Sequence, residues 1–196
     1  MSASATDRPQ RADARRNRAK ILDAARAVFA EQGREAQIDD VARRADVGIG
    51  TVYRHFPTKE ALIGALVEDA LTRVADEAAC ALENDDAWDA FEQLLWRGGE
   101  IMAGDRALTE VMQAERAAPP AVDAVLQERV GEVIRRAQEA GRLRADVMVA
   151  DIPMLMCGIG SATVKPHPSP ESWRRHLSIV LDGLRADSAT SRLPGS

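Results

Sequence analysis

The 196-residue sequence is poor in aromatic residues, in cysteines and in long apolar runs. Aromatic residues make up 4% of it, and its two cysteines, Cys80 and Cys157, lie far apart without metal-ligand spacing. We therefore expect reduced thiols rather than a disulfide or a metal site. The amino terminus has no apolar segment typical of a signal peptide, and no apolar run approaches the ~18 residues of a membrane span. These absences predict a cytoplasmic protein that does not enter a membrane.

Side-chain sets typical of enzymes are also missing from the sequence. It contains no Ser/His/Asp set, no supported pair of carboxylates, no phosphate-binding loop and no metal cluster. His167 and His176 have no partner at metal-ligand spacing, so we expect neither a metal nor another cofactor. An enzyme on a helical scaffold is therefore the least favoured interpretation.

Charge is distributed unevenly along the chain. The net charge is −5, but residues 1–60 carry +3 and the remainder carries −8. A basic run opens the chain, consisting of Arg8, Arg11, Arg15, Arg16, Arg18 and Lys20. The net positive charge of residues 1–60 indicates that an anionic partner would bind to this part of the chain.

Apolar residues recur with helical spacing throughout, and no strand-like alternation is present. The first helix carries Ile21, Leu22, Ala25, Val28 and Phe29 on one face and is predicted to end at Gly33. Two short helices and a long helix from Thr58 to about Leu82 follow. Further helices are predicted at 86–103, 106–116, 120–140, 150–163 and 170–186. The sequence therefore predicts an all-α fold.

The segment "GIGTVYRHFPTKEAL", residues 48–62, crowds hydrogen-bond donors together. Lys59 directly follows Thr58, a good helix N-cap, so a cation stands at the positive end of a helix dipole. This arrangement is favourable when an anion binds there. Phosphate, which accepts hydrogen bonds from Thr, Tyr, His and Lys, fits that requirement.

Two short helices joined by a tight turn at "ADVG" form a helix-turn-helix. Val52 and Phe56, four residues apart, would anchor the second helix to the core. The residues predicted to point outward are Ile49, Gly50, Thr51, Tyr53 and Arg54, with His55 at the rim. Tyr53 as a half-buried core residue remains the alternative. The basic run either aids solubility or follows the DNA minor groove.

The run "ILDAARAVFAEQGREAQIDDVARRADVGIGTVYRHFPTKEALIGAL" resembles the DNA-binding domain of TetR-family transcriptional regulators. The resemblance covers residues 15–66 and is specific over Gly50–Leu62. It implies that Thr51 and Tyr53 contact DNA and that His55 and Lys59 bind phosphate. The DNA-binding set that it implies is Gln37, Gly48, Ile49, Gly50, Thr51, Tyr53, Arg54, His55 and Lys59. The family usually has Thr or Ser at the position of Gln37.

The remainder resembles the family's effector and dimerisation domain only in being helical and of suitable length. Its last two helices carry apolar stripes that suit either core or a dimer seam. The candidate seam residues are Ile152, Leu155, Ile159, Trp173, Leu177, Val180, Leu181 and Leu184. The candidate lining of a ligand pocket is Trp88, Phe91, Leu95, Trp96, Met102, Val111, Met112 and Met154. Each of these residues is alternatively plain core.

The sequence thus predicts a disordered arm (1–14), a helix-turn-helix domain (15–66), an effector-binding and dimerisation domain (67–187) and a disordered tail (188–196). The predicted protein is a homodimeric repressor that a small apolar or cationic effector releases from a palindromic DNA operator. A DNA-binding regulator controlled by a protein partner, or by no ligand, is the second interpretation.

Overall fold

The computed structural model of the chain describes residues 7–104, 120–164 and 172–194. Within these ranges it contains eight α-helices and no strand, so the predicted all-α fold is confirmed. The helices are α1 (Asp7–Gln32), α2 (Ile38–Arg44), α3 (Ile49–His55), α4 (Lys59–Ala81), α5 (Ala87–Gly104), α6 (Pro120–Glu139), α7 (Asp151–Val164) and α8 (Ser172–Leu184). The helix predicted at 106–116 lies outside the described residues. None of the helices in these ranges combines the length and apolar character that crossing a bilayer requires.

The chain divides into an N-terminal unit, Met1–Leu66, and a C-terminal unit, Val67–Ser196. In the N-terminal unit α1 packs against α2, and α2 packs against α3. Local chemistry sets the two bends between these helices. Gly33 ends α1 with φ 59°, and Asp46 turns the chain between α2 and α3 with φ 52°. Both positions agree with the expectations from the sequence.

The first helix begins earlier than the sequence predicts. A disordered arm was expected over 1–14, whereas α1 already starts at Asp7. Ala and Arg favour helix, and proline is tolerated in a first turn, so the composition of this segment permits the extension. Residues 13–20 are almost entirely exposed, so no apolar stripe was needed there. Hydrophobic periodicity could not reveal a helix that buries nothing.

In the C-terminal unit α5 packs against α6, α7 and α8, and α7 packs against α8. The end of α4 is held by a side chain of α6. The Arg136 guanidinium donates to the carbonyl oxygens of Leu82 at 2.7 Å and Asn84 at 3.0 Å. These bonds supply donors to carbonyl oxygens near the end of α4 that have no hydrogen-bond partner within the helix. Gly141, with φ 65°, follows the end of α6, in agreement with the helix predicted at 120–140.

The chain after α8 is tied down at least as far as Leu193, although a disordered tail was expected from residue 188. Arg144 and Asp146, both nearly buried, form an ion pair of 2.6 Å. Arg144 also donates to the carbonyl of Ser191 at 2.7 Å, and the Leu193 N–H donates to Asp146 at 2.8 Å. The Arg144 guanidinium and the Leu193 N–H hold the pKa of Asp146 well below its usual range.

Candidate nucleic-acid interface and C-terminal cavity

Helix α3 has one buried side and one exposed side. Val52 and Phe56 are buried in the core of the N-terminal unit. On the opposite side Ile49 is 43% exposed and Tyr53 is 46% exposed, although both are large apolar or aromatic residues. Arg54 is exposed beside them, and Thr51 and His55 are half-buried at the edges. A short helix that leaves Ile and Tyr in water presents a surface suited to a partner.

The start of α3 carries no side-chain bulk. Gly48 caps the helix in an extended conformation, and Gly50 lies in its first turn. A Cβ added at either glycine would meet nothing within 4 Å. Neither glycine is therefore required by packing inside the N-terminal unit. Their lack of a side chain instead leaves the backbone open to close approach from outside.

The start of α4 adds a cation and a helix N-terminus to the same unit. Thr58 Oγ1 accepts a hydrogen bond from the Ala61 N–H at 3.1 Å, so Thr58 caps the helix as predicted. Lys59 is the first helical residue, and its Nζ lies 5.6 Å from the centre of the Phe29 ring. The ring supports the ammonium group without neutralising it, which leaves the charge able to attract an anion.

Gln37 precedes α2 but does not cap it. Its side-chain amide donates to the Glu35 carbonyl at 2.7 Å, and the residue is exposed. Two arginines of α2 are engaged in ion pairs, Arg43 with Asp40 and Arg44 with Glu31, each at 2.7 Å. Arg54, in contrast, has no ion pair within the described part of the chain. It is the cation of α3 that is available to an external acceptor.

The C-terminal unit contains an apolar cavity of about 70 Å³. Helices α4, α5, α6 and α7 all contribute to its wall. The lining residues are Leu71, Val74, Gly98, Met102, Leu126, Gln127, Val130, Val149, Ile152, Pro153 and Met156. Among these described residues none is charged, and only Gln127 is polar.

Most residues predicted to line the pocket lie elsewhere. Met102 does line the cavity, but Trp88, Phe91 and Leu95 are buried outside it. Met154 is 75% exposed, so it belongs to the surface. The remaining three are Trp96, which is half-buried outside the cavity, and Val111 and Met112, which lie outside the described residues.

The tryptophans have structural partners that explain their positions. The indole N–H groups of Trp88 and Trp96 both donate to the Glu92 carboxylate, at 2.9 and 3.2 Å. The sequence predicts a lining of three aromatic residues, three methionines, Leu95 and Val111. The actual lining is mostly aliphatic side chains, methionines and a glycine, which no local sequence signal distinguishes from ordinary core.

The structure describes a single chain, so the predicted dimer seam stays a prediction. Most of its side chains are buried within that chain and fill its own core. This applies to Ile152, Trp173, Leu177, Leu181 and Leu184. Leu155 and Val180 are half-buried, and nothing is described for the side chain of Ile159. The apolar residues that α7 and α8 do expose are Met154 and Ile179, at 75% and 61%.

Comparison with known proteins gives two family matches in this chain. The family model for bacterial regulatory proteins of the tetR family matches residues 21–66. The model for the C-terminal domain of SbtR-like transcriptional regulators matches residues 83–186. The first match contains α2, α3 and the start of α4, and the second contains the helices from α5 to α8.

Individual relatives agree with these matches. The HTH-type transcriptional regulator UidR of Escherichia coli is 28% identical over 182 residues, covering 89% of this chain and 92% of UidR. The HTH-type transcriptional repressor Rv3405c of Mycobacterium tuberculosis is 41% identical over 96 residues, covering 47% of this chain and 46% of its own.

Solved structures extend the likeness to most of the chain. A TetR transcription regulatory protein from Mycobacterium vanbaalenii is 36% identical, with a TM-score of 0.65 over 90% of this chain and 99% of its own. The TetR regulator SCO0520 of Streptomyces coelicolor is 30% identical, with a TM-score of 0.64 over 86% of this chain and 98% of its own. The helix-turn-helix, both family matches and these relatives lead to one conclusion: the chain belongs to the TetR family of DNA-binding transcriptional regulators, which are not enzymes.

Proposed function

We propose that the protein is a cytoplasmic homodimeric repressor that binds an inverted-repeat operator and is released from it by a small-molecule effector. The observation that carries the DNA-binding part is the exposed side of α3. Ile49 and Tyr53 are largely exposed there, while Val52 and Phe56 fix the same helix to the core. Second-helix residues of a helix-turn-helix enter the major groove, so this side is the one that meets the bases.

The exposed residues divide into two roles. Thr51, Tyr53, His55 and Lys59 carry donors suited to phosphate oxygens and would position the protein on the duplex. Gln37 would add a further contact with the DNA backbone. Arg54 can reach guanine or a phosphate, and Ile49 can pack on a thymine methyl group. The open glycines Gly48 and Gly50 would let the helix backbone approach the DNA closely.

The role assignments predict different effects on sequence preference. Arg54→Ala should relax discrimination at one or two operator positions, because it removes a base contact worth about 1–3 kcal/mol. Gel-shift competition against single-base operator variants measures this. Unchanged discrimination would assign Arg54 to the backbone instead.

A dimer follows from the limited reach of one recognition helix, which spans too few base pairs for specificity. A two-fold protein reads a two-fold site, with half-site centres about 34–36 Å apart or somewhat more. The surface that we assign to the dimer seam is the exposed side of α7 and α8. Met154 and Ile179 lie there, supported by the half-exposed Leu155 and Val180.

The cavity of the C-terminal unit is where an effector would bind. The part of its lining that the structure describes contains no charged side chain to hold an ion, which favours an apolar effector over a cationic one. Its volume of about 70 Å³ is well below the ~300–1,000 Å³ of usual ligand sites. An effector must therefore be very small or must displace the flexible side chains of Met102 and Met156.

The small cavity also favours a second candidate function, a DNA-binding regulator without any ligand. The two candidates differ in a linkage requirement. If an effector weakens operator binding by some factor, the operator must weaken effector binding by the same factor. Compact apolar molecules can be screened by thermal shift, and the affinity of a hit is then measured with and without saturating operator.

The experiment that tests the DNA-binding function is specific binding to the DNA upstream of the protein's own gene. Fluorescence anisotropy with that duplex and with a shuffled duplex of equal length should show strong preference for the former. Equal affinity for both would refute sequence-specific regulation at that site. Gly98→Ala, which places a methyl group in the cavity, should weaken binding of an effector while leaving operator affinity unchanged. The matched control is Gly64→Ala, because its added methyl group meets nothing within 4 Å.

A further inference from the structure

Over residues 13–20, the first part of α1 packs little on its own unit, apart from Arg18 over the Phe56 ring. Residues 13–20 are exposed except for the half-buried Asn17, whereas Ile21 and Leu22 are buried. We call residues 7–20 of α1 the N-terminal extension. At ~1.5 Å per residue it projects about 20 Å beyond the part of α1 that contacts the core. Residues 13–20 bury so little that the fold adds little to their helical stability, and their exposed side chains are open to an external partner.

The extension carries the positive charge of the N-terminal unit. Residues 1–20 contain six basic and two acidic residues, a net charge of +4. Residues 21–66, which hold the helix-turn-helix itself, contain six basic and seven acidic residues, a net charge of −1. The net positive charge of the N-terminal unit therefore lies in the extension, which adds long-range attraction to DNA to the local donors of α3 and α4.

The position of Arg18 connects the extension to the DNA-reading surface. Its guanidinium carbon lies 5.5 Å from the centre of the Phe56 ring, directly after α3. The Phe56 ring in turn lies 6.2 Å from the ring of His55, which we assign to phosphate. The extension therefore leaves the unit beside the end of the recognition helix.

Arg15 and Arg18 are free to engage an external acceptor. They are three residues apart, so they share one side of the helix. Both are exposed, and neither has an ion pair within the described residues. Arg16, on another side, is paired with Asp13 at 3.1 Å. An unpaired guanidinium is the side chain best suited to bidentate contact with phosphate.

We propose that the N-terminal extension binds the phosphate backbone of the DNA that flanks each half-site, with Arg15 and Arg18 as the contacts. The inference rests on the DNA-binding function proposed above and adds a second binding surface to it. Arg18 and Arg15 precede Ile21 by three and six residues, about 4.5 and 9 Å along the helix at ~1.5 Å per residue, so their contacts would lie within roughly three base pairs at ~3.4 Å each. An α-helix is ~10–12 Å wide and the minor groove only ~6 Å, so a helical extension lies across phosphates instead of entering that groove.

The test compares two duplexes and three variants. The wild-type chain first selects its site from random-sequence duplexes. A short duplex then contains only the selected bases, and a long duplex adds a full helical turn of unrelated sequence on each side. Affinities are measured by fluorescence anisotropy over a range of salt concentrations. The variants are Arg15→Gln/Arg18→Gln, its charge-preserving counterpart Arg15→Lys/Arg18→Lys, and the control Arg97→Gln/Arg135→Gln. The control removes two exposed arginines from the C-terminal unit.

On the long duplex, Arg15→Gln/Arg18→Gln should bind about 10–100-fold more weakly than wild type at moderate salt. The slope of log K against log salt should fall by about three to four units, because a dimer loses four phosphate contacts of ~0.9 each. On the short duplex the variant should match wild type. The lysine variant should keep most of the slope, and the control should leave both affinities unchanged.

Three outcomes would overturn the inference. Wild-type affinity and slope for Arg15→Gln/Arg18→Gln on the long duplex would leave the extension without a DNA contact. An equal loss on both duplexes with altered base preference would mean that Arg18 acts through α3. Because Arg18 packs on Phe56, thermal unfolding and the single variant Arg15→Gln check for this, and Arg15→Gln should show about half the slope change. A wild-type chain that selects no sequence refutes the DNA-binding function itself and this inference with it, whereas the first two outcomes leave that function standing.

Discussion

Two adjacent glycines in α5 should respond to the same substitution in opposite directions. Gly98 and Gly99 are both buried in the middle of the helix. A Cβ at Gly98 would lie 3.7 Å from Met156 Sδ, an ordinary van der Waals contact at the cavity wall. A Cβ at Gly99 would lie 2.7 Å from Cζ3 of the Trp173 ring and 3.2 Å from its Cε3. The first position has room for a methyl group and the second does not.

The magnitudes follow from helix propensity and packing. Replacing glycine by alanine inside a helix gains about 0.5–1 kcal/mol in either case. At Gly99 the clash adds an overpacking cost of about 1–3 kcal/mol. Trp173 cannot move away cheaply, because its ring packs edge-on against Trp96 at 5.8 Å and beneath the Arg174 guanidinium at 4.7 Å. Gly98→Ala should therefore be about 2 kcal/mol more stable than Gly99→Ala, or roughly 4–8 °C in Tm.

Tryptophan fluorescence is the suitable measurement, because all three tryptophans, Trp88, Trp96 and Trp173, belong to the C-terminal unit. The thermal transition followed by tryptophan fluorescence therefore reports the unfolding of the C-terminal unit alone. Gly64→Ala in α4 is the matched control, since its added methyl group meets nothing within 4 Å and it lies in the N-terminal unit. It should leave the fluorescence transition in place. If Gly98→Ala and Gly99→Ala both raised the Tm, the close packing of the Trp173 ring against Gly99 would be refuted.

Three further predictions concern DNA binding, assembly and pH. Tyr53→Phe and Lys59→Ala should weaken binding to all DNA sequences about equally. Lys59→Ala should also lower the slope of log K against log salt by roughly one unit per chain. A change in base preference would contradict the assignment of these residues to phosphate. Ile179→Glu should give a folded monomer by light scattering and circular dichroism, whereas Leu177→Glu should unfold the chain, because Leu177 is fully buried. Asp146→Asn should lower the Tm at neutral pH. The pKa of Asp146 is lowered in the folded chain, so its ionised carboxylate stabilises the fold at pH values above its unfolded-state pKa of about 3.9. The Tm difference between Asp146→Asn and wild type should therefore narrow as the pH falls below ~4. A Tm difference that does not change with pH would refute the ion pair as its cause.

The features that the sequence predicts correctly depend on a few neighbouring residues. Thr58 caps α4 through a bond to the N–H three residues later. Asp46 and Gly33 take the left-handed conformations that their side chains tolerate. The two sides of α3 follow from Val52 and Phe56, one helical turn apart. Such features depend on residues that are close in the sequence, so the sequence alone predicts them.

The cavity could not be predicted in the same way. It exists because four helices meet without filling the space between Val74, Gly98, Val130 and Met156. Each of these residues has the size and character of ordinary core. Whether such residues close against one another depends on helix positions that no single segment specifies. Three of the eight residues predicted to line it, Trp88, Phe91 and Trp96, are aromatic, and all three make hydrogen bonds or ring contacts outside it.

The exposed apolar residues of α7 and α8 point to a dimer seam better than the buried stripes of these helices do. The stripe through Trp173, Leu177, Leu181 and Leu184 is the core side of α8, and a side that is already buried cannot also be the main contact with a second chain. Ile179 stands two residues after Leu177, about 200° around the helix at ~100° per residue. Met154 stands two residues after the buried Ile152 on α7, at the same angle. One exposed apolar residue on a helix is common and carries no information. Two of them, each opposite the buried stripe of one of two helices that pack together, indicate a shared outer surface. The residues that depart from the stripe, rather than those that form it, are therefore the ones that point to a partner chain.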